Sequence, residues 1–413
     1  MVTAISLFEA RSRILAADCR PRPTETVSLD RVHGRFLAAE VRADGPWPAT
    51  DRSAMDGFAV AAGSAGLAAG IELPVVGESL AGHPFPGELA AGAAIRIMTG
   101  AVVPVGADAV VPVEHTSGFG GHAVTFHEPV RSGQNVRPKG SEITAGQPLL
   151  AAGCRLRAAE IGALAVLGHA SVAVRRRVRV AIVATGDEVV PVENVPEPYQ
   201  VRESNSWALA AQVHECGGEG IRLGVAPDQP DELRRLLLQG LEEADVLITI
   251  GGISKGTHDL VRQTLEDLGV STVFHGVQLK PGKPTFFGTR AAADGAGFVF
   301  GLPGNPMSCF TVFDLLVRPL LLKMVGADPG QWRIELPPAG MPWRRNARWQ
   351  AVPARLAVGE DGRLAAELGR TTPSGDPFGL LGGNLYGLLP ADRDPAATER
   401  IGIVGGSTGI ELP

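Results

Sequence analysis

Apolar residues in the middle of the chain form two kinds of pattern. The segment VLITI (246–250) is a short, β-branched run without polar alternation, which is typical of a strand buried on both faces of a parallel sheet. Leu233, Leu236, Leu237 and Leu241 follow the i, i+3, i+4, i+8 spacing of an amphipathic helix. Because the two patterns alternate over residues 178–325, the sequence predicts a doubly wound α/β domain with a mainly parallel sheet.

The flanking segments follow other patterns. A capping box from Ser6 to Glu9 opens a first amphipathic helix, and a second helix is predicted to end near Gly168. From Trp47 the chain changes to short alternating runs separated by Gly and Pro turns, which indicates a small β-rich domain. From Gln331 onward a Pro- and Gly-rich tail with short alternating runs predicts another compact β domain.

The predicted architecture is therefore multidomain, α/β plus β, as expected for 413 residues. Segments that flank an inserted domain usually return to a common core. The segments before and after the β-rich insertion are therefore predicted to form one discontinuous, mixed helical domain. The predicted domains are residues 1–46 with 139–174 (discontinuous, elongated), 47–138 (inserted, β-rich), 175–327 (doubly wound) and 328–413 (C-terminal, β).

Composition excludes several classes of function. The net charge of −6 gives no electrostatic basis for nucleic-acid binding, and the basic run at residues 175–179 is interpreted as a solvated linker. The four cysteines are far apart without a CxxC pair, which disfavours a structural zinc site and indicates reduced thiols. Since the sequence shows neither a signal peptide nor an apolar run of about 18 residues, we expect a soluble cytoplasmic protein without membrane contact.

Candidate chemistry lies in loops that follow the predicted strands. These loops are TGDE (185–188), GGISKGTHD (251–259), and LKPGKP (279–284) with LPGNP (302–306). Ligands of open α/β sheets bind outside the carboxyl ends of the strands, so the position of these loops matters as much as their composition. Each loop alone is a weak signal, because a Gly-rich turn is often structural and an Asp after a strand is often a helix cap. Together they predict one anion-binding pocket.

Lys280 and Lys283 are the most specific feature of that pocket. Two cations on a loop stiffened by Pro281 and Pro284 repel each other, and a bound anion relieves the repulsion. The alternative is a solvated turn in which both lysines face water. Carboxylates on the neighbouring loops are candidate ligands of Mg²⁺, which binds few carboxylates and completes its shell with phosphate and water. These carboxylates are Asp187, Glu188 and Asp259.

Other catalytic motifs fit less well. The segment 252–256 matches the Gly-x-Ser-x-Gly of a nucleophile elbow, but the only histidines after Ser254 lie too close to it in sequence for that fold. We therefore interpret Ser254 as a phosphate ligand. The chain contains neither a Gly-x-Gly-x-x-Gly fingerprint nor a Walker P-loop, which disfavours dinucleotide-dependent redox chemistry and P-loop phosphoryl transfer.

With these loops located, the sequence resembles the molybdopterin molybdenumtransferases, the molybdenum insertases of molybdenum-cofactor synthesis. The resemblance covers essentially the whole chain, in one order. The segments that carry it are DRSAMDGFAV (51–60), IRIMTGAVVPVGADAVV (95–111), NVRPKGSEI (135–143), ATGDE (184–188), SN (204–205), GGISKGTHD (251–259), KPGKP (280–284) and LPGNPMS (302–308).

The resemblance implies an elongated homodimer that converts adenylylated molybdopterin and molybdate, with Mg²⁺ as cofactor, and releases AMP. It implies that Lys280 and Lys283 attract molybdate while Gly252 and Ser254 hold phosphate. The remaining roles that it implies are catalysis by Asp56, Asp187, Glu188 and Asp259, Mg²⁺ binding by the last three, and substrate binding by Thr99, Glu142, Pro284, Pro303 and Asn305.

Asp56 and Thr99 would reach the active site of the partner subunit, although an Asx turn before Gly57 explains Asp56 equally well from composition. Two positions depart from the family. Glu142 stands where an aspartate is usual, and Gly382-Gly383-Asn384 replaces a segment that often carries a serine, so a contribution of the C-terminal domain to anion binding is in doubt.

Two rival functions use the same pocket. One is adenylyl transfer onto molybdopterin, since stand-alone adenylyltransferases of the pathway resemble the doubly wound domain. The other is a non-catalytic molybdopterin-binding or scaffold paralogue. Transient contact with other cofactor-biosynthesis proteins is expected in each case.

Overall fold

The computed structural model describes residues 4–253, 260–292, 295–329, 334–340, 343–358, 362–369, 374–379, 381, 383, 385–394 and 398–405. The chain divides into two compact units. One consists of Met1–Ala39 with Ala152–Pro413, and the other is Glu40–Ala151. The finer division into four domains stays a prediction.

Helices and strands are numbered here in chain order. The helices are α1 Leu7–Ala16, α2 Ala158–Val166, α3 Asn205–Glu215, α4 Pro230–Glu243, α5 Leu260–Asp267, α6 Pro306–Val312 and α7 Arg318–Met324, with 3₁₀ turns Leu29–Arg31 and Val113–His115 and a π-helical segment Phe313–Val317. The strands are β1 Thr24–Ser28, β2 Val41–Arg42, β3 Arg52–Ser53, β4 Gly57–Val60, β5 Glu72–Ser79, β6 Ala94–Ile97, β7 Ala109–Pro112, β8 Ala123–Thr125, β9 Val136–Arg137, β10 Pro148–Leu150, β11 Ser171–Arg175, β12 Arg179–Thr185, β13 Val189–Val190, β14 Val201–Arg202, β15 Glu219–Ala226, β16 Val246–Ile250, β17 Ser271–His275, β18 Leu279–Lys280, β19 Phe286–Ala292, β20 Gly295–Leu302, β21 Ile334–Leu336, β22 Pro338–Gly340, β23 Trp349–Val358, β24 Leu364–Leu368, β25 Leu385–Leu389 and β26 Ile401–Gly405.

A six-stranded sheet in the order β15-β12-β16-β20-β19-β17 forms the centre of the larger unit. The first four strands are parallel to one another, and β19 is antiparallel to both of its neighbours, β20 and β17, so the predicted doubly wound, mainly parallel domain is confirmed. Helices cover both faces of the sheet. Val246, Ile248 and Ile250 of β16 pack into the core that includes α1, α3, α6 and α7, whereas Leu247 packs into the core that includes α4 and α5. Burial on both faces explains why four of the five residues of this strand are large and apolar.

The C-terminal segment folds into a mixed seven-stranded sheet among the described residues. Its strand β23 pairs in parallel with β18, a two-residue strand that belongs in sequence to the doubly wound segment. A buried hydrogen bond of 3.0 Å, from the Tyr386 hydroxyl of β25 to Asp314 Oδ2, joins the same sheet to the π-helical segment. Burial and the Asp314 carboxylate both raise the pKa of Tyr386, which keeps its hydroxyl protonated as the donor. The C-terminal sheet therefore shares backbone and side-chain contacts with the doubly wound segment.

The unit Glu40–Ala151 contains the predicted β-rich fold. Its main sheet has the order β7-β4-β6-β5-β8, and the strands enclose a core that includes Phe58, Val60, Val111 and Phe126. Strand β4 is buried along its whole length, between β6 and β7. Asp56, in the segment SAMDG, immediately precedes β4, so this candidate residue is attached to a fully buried strand.

Ser204 and Asn305 are the N-cap residues of α3 and α6, but neither side chain forms a capping hydrogen bond. The prediction of a solvated linker at residues 175–179 is wrong. The basic run is not simply solvated, because Arg175 and Arg177 are half-buried and donate hydrogen bonds to backbone carbonyls of Arg22, Ala38 and Gly217. Arginines satisfy carbonyls where segments from distant parts of the chain meet, which a local pattern does not reveal.

Candidate functional site

The carboxyl ends of three neighbouring strands bring the candidate loops together. In the parallel register Ala184 of β12 lies beside Ile250 of β16, and Ile250 lies beside Leu302 of β20. The TGDE, glycine and LPGNP loops therefore begin side by side at one edge of the sheet. This edge is where open α/β sheets bind their ligands.

Hydrogen bonds fix the start of the glycine loop. The buried Thr185 hydroxyl donates to the Ile250 carbonyl at 3.0 Å, and the Gly251 amide donates to the Leu302 carbonyl at 2.9 Å. Thr185 was not among the predicted site residues, although its place at the last position of a strand ahead of Gly-Asp-Glu could have indicated it. The backbone of all three loops is thus connected at this point.

Gly252 is a position at which only glycine fits. Its φ is +66°, and a Cβ built there would lie 2.4 Å from Val261 Cγ2. The next carbonyl, that of Ile253, lies 3.0 Å from the Nε2 atom of the buried His275. Ser254 and Asp259, which the sequence predicted as phosphate and metal ligands, lie outside the described residues.

Carboxylates gather at the TGDE loop. Asp187 Oδ1 accepts a hydrogen bond of 3.0 Å from the backbone amide of Asp228, which follows β15. Burial, and after it the negative charges of Asp187 and Glu188, raise the pKa of Asp228. Asp228 was missed in the sequence analysis, but the rule used for the other loops could have found it, because it stands just beyond the carboxyl end of a parallel strand. The described residues contain no preformed cluster of three metal-ligating side chains.

The lysine loop is held by its backbone and exposes its charges. Lys280 pairs with Gln350 in the β18–β23 ladder, and the Lys283 carbonyl accepts the Val277 amide at 2.9 Å. Between them, a Cβ at Gly282 would lie 2.7 Å from Val312 Cγ2, so the loop lies directly against α6. Both lysine side chains are exposed, and neither forms an ion pair within the described part of the chain.

The LPGNP loop contacts two other segments. Asn205 Nδ2 donates to the Gly304 carbonyl at 2.7 Å, and Asn305 Nδ2 donates to Ser374 Oγ at 2.9 Å. The departure at residues 382–384 had put in doubt a role for the C-terminal region. Ser374 nevertheless brings a hydroxyl of that region against Asn305, beside the predicted site residue Pro303.

The candidate residues of the smaller unit have partners within that unit. Asp56 Oδ1 accepts hydrogen bonds of 2.6 Å from both the amide and the hydroxyl of Thr99, so the structure brings these two candidates together. These bonds lower the pKa of Asp56. Glu142 forms an ion pair with Arg137. An Asx turn at Asp56 is therefore not needed to explain its place in the loop.

None of the helices that the structure describes has the length and hydrophobicity for a bilayer span.

Comparison with known proteins identifies the family. A family model described as "MoeA N-terminal region (domain I and II)" matches residues 5–168, and one described as "Probable molybdopterin binding domain" matches residues 181–323. The chain is 35% identical to a molybdopterin molybdenumtransferase of Haemophilus influenzae over 80% of this chain and 79% of that protein. It is 32% identical to molybdopterin molybdenumtransferase 1 of Mycobacterium tuberculosis over 90% of this chain and 88% of that protein.

A solved structure agrees with the sequence relatives. The crystal structure of a molybdopterin biosynthesis moeA protein from Pyrococcus horikoshii superposes with a TM-score of 0.81 at 29% identity, over 98% of this chain and all of that one. Since both family models and the whole-length fold agree with the converging loops, the chain belongs to the molybdopterin molybdenumtransferase family.

Proposed function

We propose that the protein inserts molybdenum into adenylylated molybdopterin and releases AMP as the molybdenum cofactor forms. Family membership supports molybdenum transfer. The observation that carries the specific proposal is the lysine loop, in which two exposed ammonium groups stand on a backbone fixed by β23, Val277 and α6.

Lys280 and Lys283 bind the molybdate dianion in this proposal. Molybdate carries two charges, and two lysines that the described residues leave without a carboxylate partner balance them. Because the loop backbone is already held, binding does not have to order it. Phosphate is bound by Ser254 and by Gly252, which has a positive φ. The wall of the anion-binding pocket on the side of the lysine loop is completed by Pro284, Pro303 and Asn305.

The carboxylates beside the TGDE loop fit a weakly held Mg²⁺ ion. Asp187 and Asp228 are joined through a backbone amide, and their like charges leave local repulsion that a cation relieves. Asp187 and Glu188 would hold the ion, with Asp259 as the third ligand inferred from the family pattern and Asp228 as a neighbour that adds negative charge. When bound, the ion would balance charge on the phosphoanhydride.

Two further parts of the proposal concern assembly and location. Asp56 and Thr99, held together on an exposed loop, would act on the substrate of a partner subunit in a homodimer. The four free cysteines are compatible with a reducing cytoplasm, where transient contact with other cofactor-biosynthesis proteins would supply the substrate and accept the product.

The test uses purified protein, adenylylated molybdopterin, MgCl₂ and molybdate. The proposal expects AMP release that requires molybdate and saturates with its concentration. ATP consumption with molybdopterin as acceptor would instead identify an adenylyltransferase. Binding of the adenylylated substrate without any turnover would identify a scaffold, and either result would contradict the proposal.

A further inference from the structure

A cleft of about 550 Å³ lies beside the TGDE loop, and apart from Asp187 its walls have no role in the chemistry described so far. Its wall comes from three pieces of the larger unit: the segment after β12, the start of α3, and β15 with the residue that follows it. Small-molecule sites usually span a few hundred to about 1,000 Å³. The cleft is therefore large enough for a bicyclic ring.

One wall of the cleft is aromatic and cationic. The Arg222 guanidinium carbon lies 3.2 Å from the centroid of the Trp207 ring, while 47% of Trp207 stays exposed. The pair stiffens both side chains, since a guanidinium over an indole is attracted by the ring quadrupole. Indole and guanidinium planes are the surfaces on which proteins stack flat nitrogen heterocycles.

A β-bulge shapes this wall. Ile182 of β12 pairs with Arg222, but the next residue, Val183, pairs with Gly224, so Leu223 is the extra residue of β15. Leu223 packs into the core beneath the sheet, whereas Arg222 and Gly224 both line the cleft. A Cβ at Gly224 would meet no atom within 4 Å, which means that the wall is open at this point. Bulges that redirect side chains in this way are common beside binding sites.

The inner end of the cleft carries a hydrogen-bond acceptor. Glu203 is 7% exposed, and its two carboxylate oxygens accept the Ser206 amide at 2.7 Å and the Ser206 hydroxyl at 2.6 Å. No arginine or lysine pairs with Glu203 among the described residues. Each oxygen keeps a second lone pair, so the held carboxylate can accept an N–H group of a ligand.

We propose that this cleft binds the planar, amino-bearing heterocycle of the substrate, with the ring stacked on the Trp207–Arg222 pair and its N–H groups directed to Glu203. This assignment rests on the proposed function for the identity of the substrate. Gly186 and Asp187 of the TGDE loop line the same cleft. When the ring binds there, the phosphate of the substrate lies beside the carboxylates of that loop. Adenylylated molybdopterin offers two rings of this chemistry, an adenine and a pterin.

The test measures ring binding by titration calorimetry with the full-length protein, with AMP and, separately, with 6-hydroxymethylpterin. Trp207→Ala should weaken binding of the occupying ring roughly 5- to 100-fold, the usual effect of removing one stacking side chain, whereas Trp207→Phe should stay within about threefold of the parent. Trp47→Ala, which removes a tryptophan 45% exposed in the other unit, is the matched control. The urea unfolding midpoint of each variant verifies that it is folded.

The ring whose binding is weakened identifies the occupant, and weakening of both identifies a site that accepts either. Unchanged binding of both in Trp207→Ala, or no binding of either ring to the parent protein, would overturn the proposal. This failure differs from failure of the proposed function, because molybdate-dependent AMP release by the parent protein is measured without reference to the cleft. A parent that shows such release while Trp207→Ala binds both rings normally would contradict the cleft alone.

Discussion

The two compact units treat the charges of their candidate residues in opposite ways. In Glu40–Ala151, Asp56 is saturated on one oxygen by the amide and hydroxyl of Thr99. In the larger unit, Lys280 and Lys283 have a fixed backbone but ammonium groups that face solvent. The first arrangement fixes the position of a carboxylate through the donors of a neutral residue, and the second leaves two ammonium groups available for a ligand.

The carboxylates show the same contrast. Glu142 of the smaller unit has the cation Arg137 as its partner, whereas Asp228 of the larger unit lies near Asp187, a group of the same sign. A residue whose charge is balanced within the protein contributes to local structure. A residue whose charge is left unbalanced costs the folded protein a little stability and gains it back when a counter-charge binds. Substitutions in the two units should therefore affect different measurements.

Gly252→Ala should have the largest effect. The new Cβ would clash with Val261 and occupy a positive φ, so we expect a loss of about 2–4 kcal/mol in the free energy of unfolding and loss of molybdate-dependent AMP release. Gly100→Ala in the smaller unit is the control, because Gly100 also has a positive φ but a Cβ there meets nothing within 4 Å. It should cost only about 1–2 kcal/mol. Equal losses in urea denaturation would show that crowding at the glycine loop is unimportant.

Lys280→Ala/Lys283→Ala should raise the molybdate concentration for half-maximal AMP release about 10- to 100-fold, because two charge-assisted contacts are lost. The free energy of unfolding should change by less than about 0.5 kcal/mol, since both side chains are exposed. Arg234→Ala/Arg393→Ala removes the same charge from exposed positions of the same unit and is the matched control. An unchanged molybdate dependence in the lysine variant would refute the anion site.

Sequence patterns predicted the helices and strands that are determined by the spacing of neighbouring apolar residues. The apolar run of β16 and the leucine spacing of α4 indicated their elements, and the carboxyl-end rule placed the loops at one edge of the sheet. The same rule applied to β15 would have added Asp228. Its omission was a failure to apply the rule, because Asp228, like Asp187, stands two residues beyond the end of a parallel strand.

Contacts between distant segments were beyond the sequence patterns. The pairing of Lys280 with Gln350 joins residues of different predicted domains, and the bond from Asn305 to Ser374 spans 69 positions. Asn305 is of a residue type that favours a helix cap, and Pro306 follows it in the first turn of α6, but its side chain donates to Ser374 and does not cap the helix. When a side chain has two possible hydrogen-bond partners, tertiary packing determines which one it contacts. A short stretch of sequence does not contain that information.

Thr99→Val tests the hydrogen bond that the Thr99 hydroxyl donates to Asp56 in the smaller unit. Losing the hydroxyl donor should move the pKa of Asp56 up toward its ordinary value, and Thr99→Ser should restore the low pKa. Carboxyl titration of Asp56 by NMR measures both. Because folding lowers the pKa of Asp56, its contribution to stability is present above the unfolded-state pKa and is lost as the pH falls through the folded-state value. Thr99→Val should therefore lose less stability on acidification than the parent, and equal losses would contradict the assigned bond.

Asp228→Asn should give the smallest effect and the opposite sign. Removing one of the mutually repelling carboxylates should raise the thermal stability of the protein without magnesium, by less than about 1 kcal/mol because solvent screens these groups. Asp231→Asn, in the first turn of α4, is the control: it removes the same charge but loses a favourable interaction with the helix N-terminus, so stability should stay level or fall slightly.

The response of these two variants to magnesium tests the carboxylates beside the TGDE loop. MgCl₂, compared with KCl at equal ionic strength, should stabilise the parent and Asp231→Asn alike, because both keep the repulsion that a bound cation relieves. Asp228→Asn should respond less, since part of that repulsion has already been removed. If Asp228→Asn instead left stability level or slightly lower, as expected for Asp231→Asn, and kept the full magnesium response, the charge of Asp228 would be balanced within the protein. The contrast between the two units would then rest on the lysines alone.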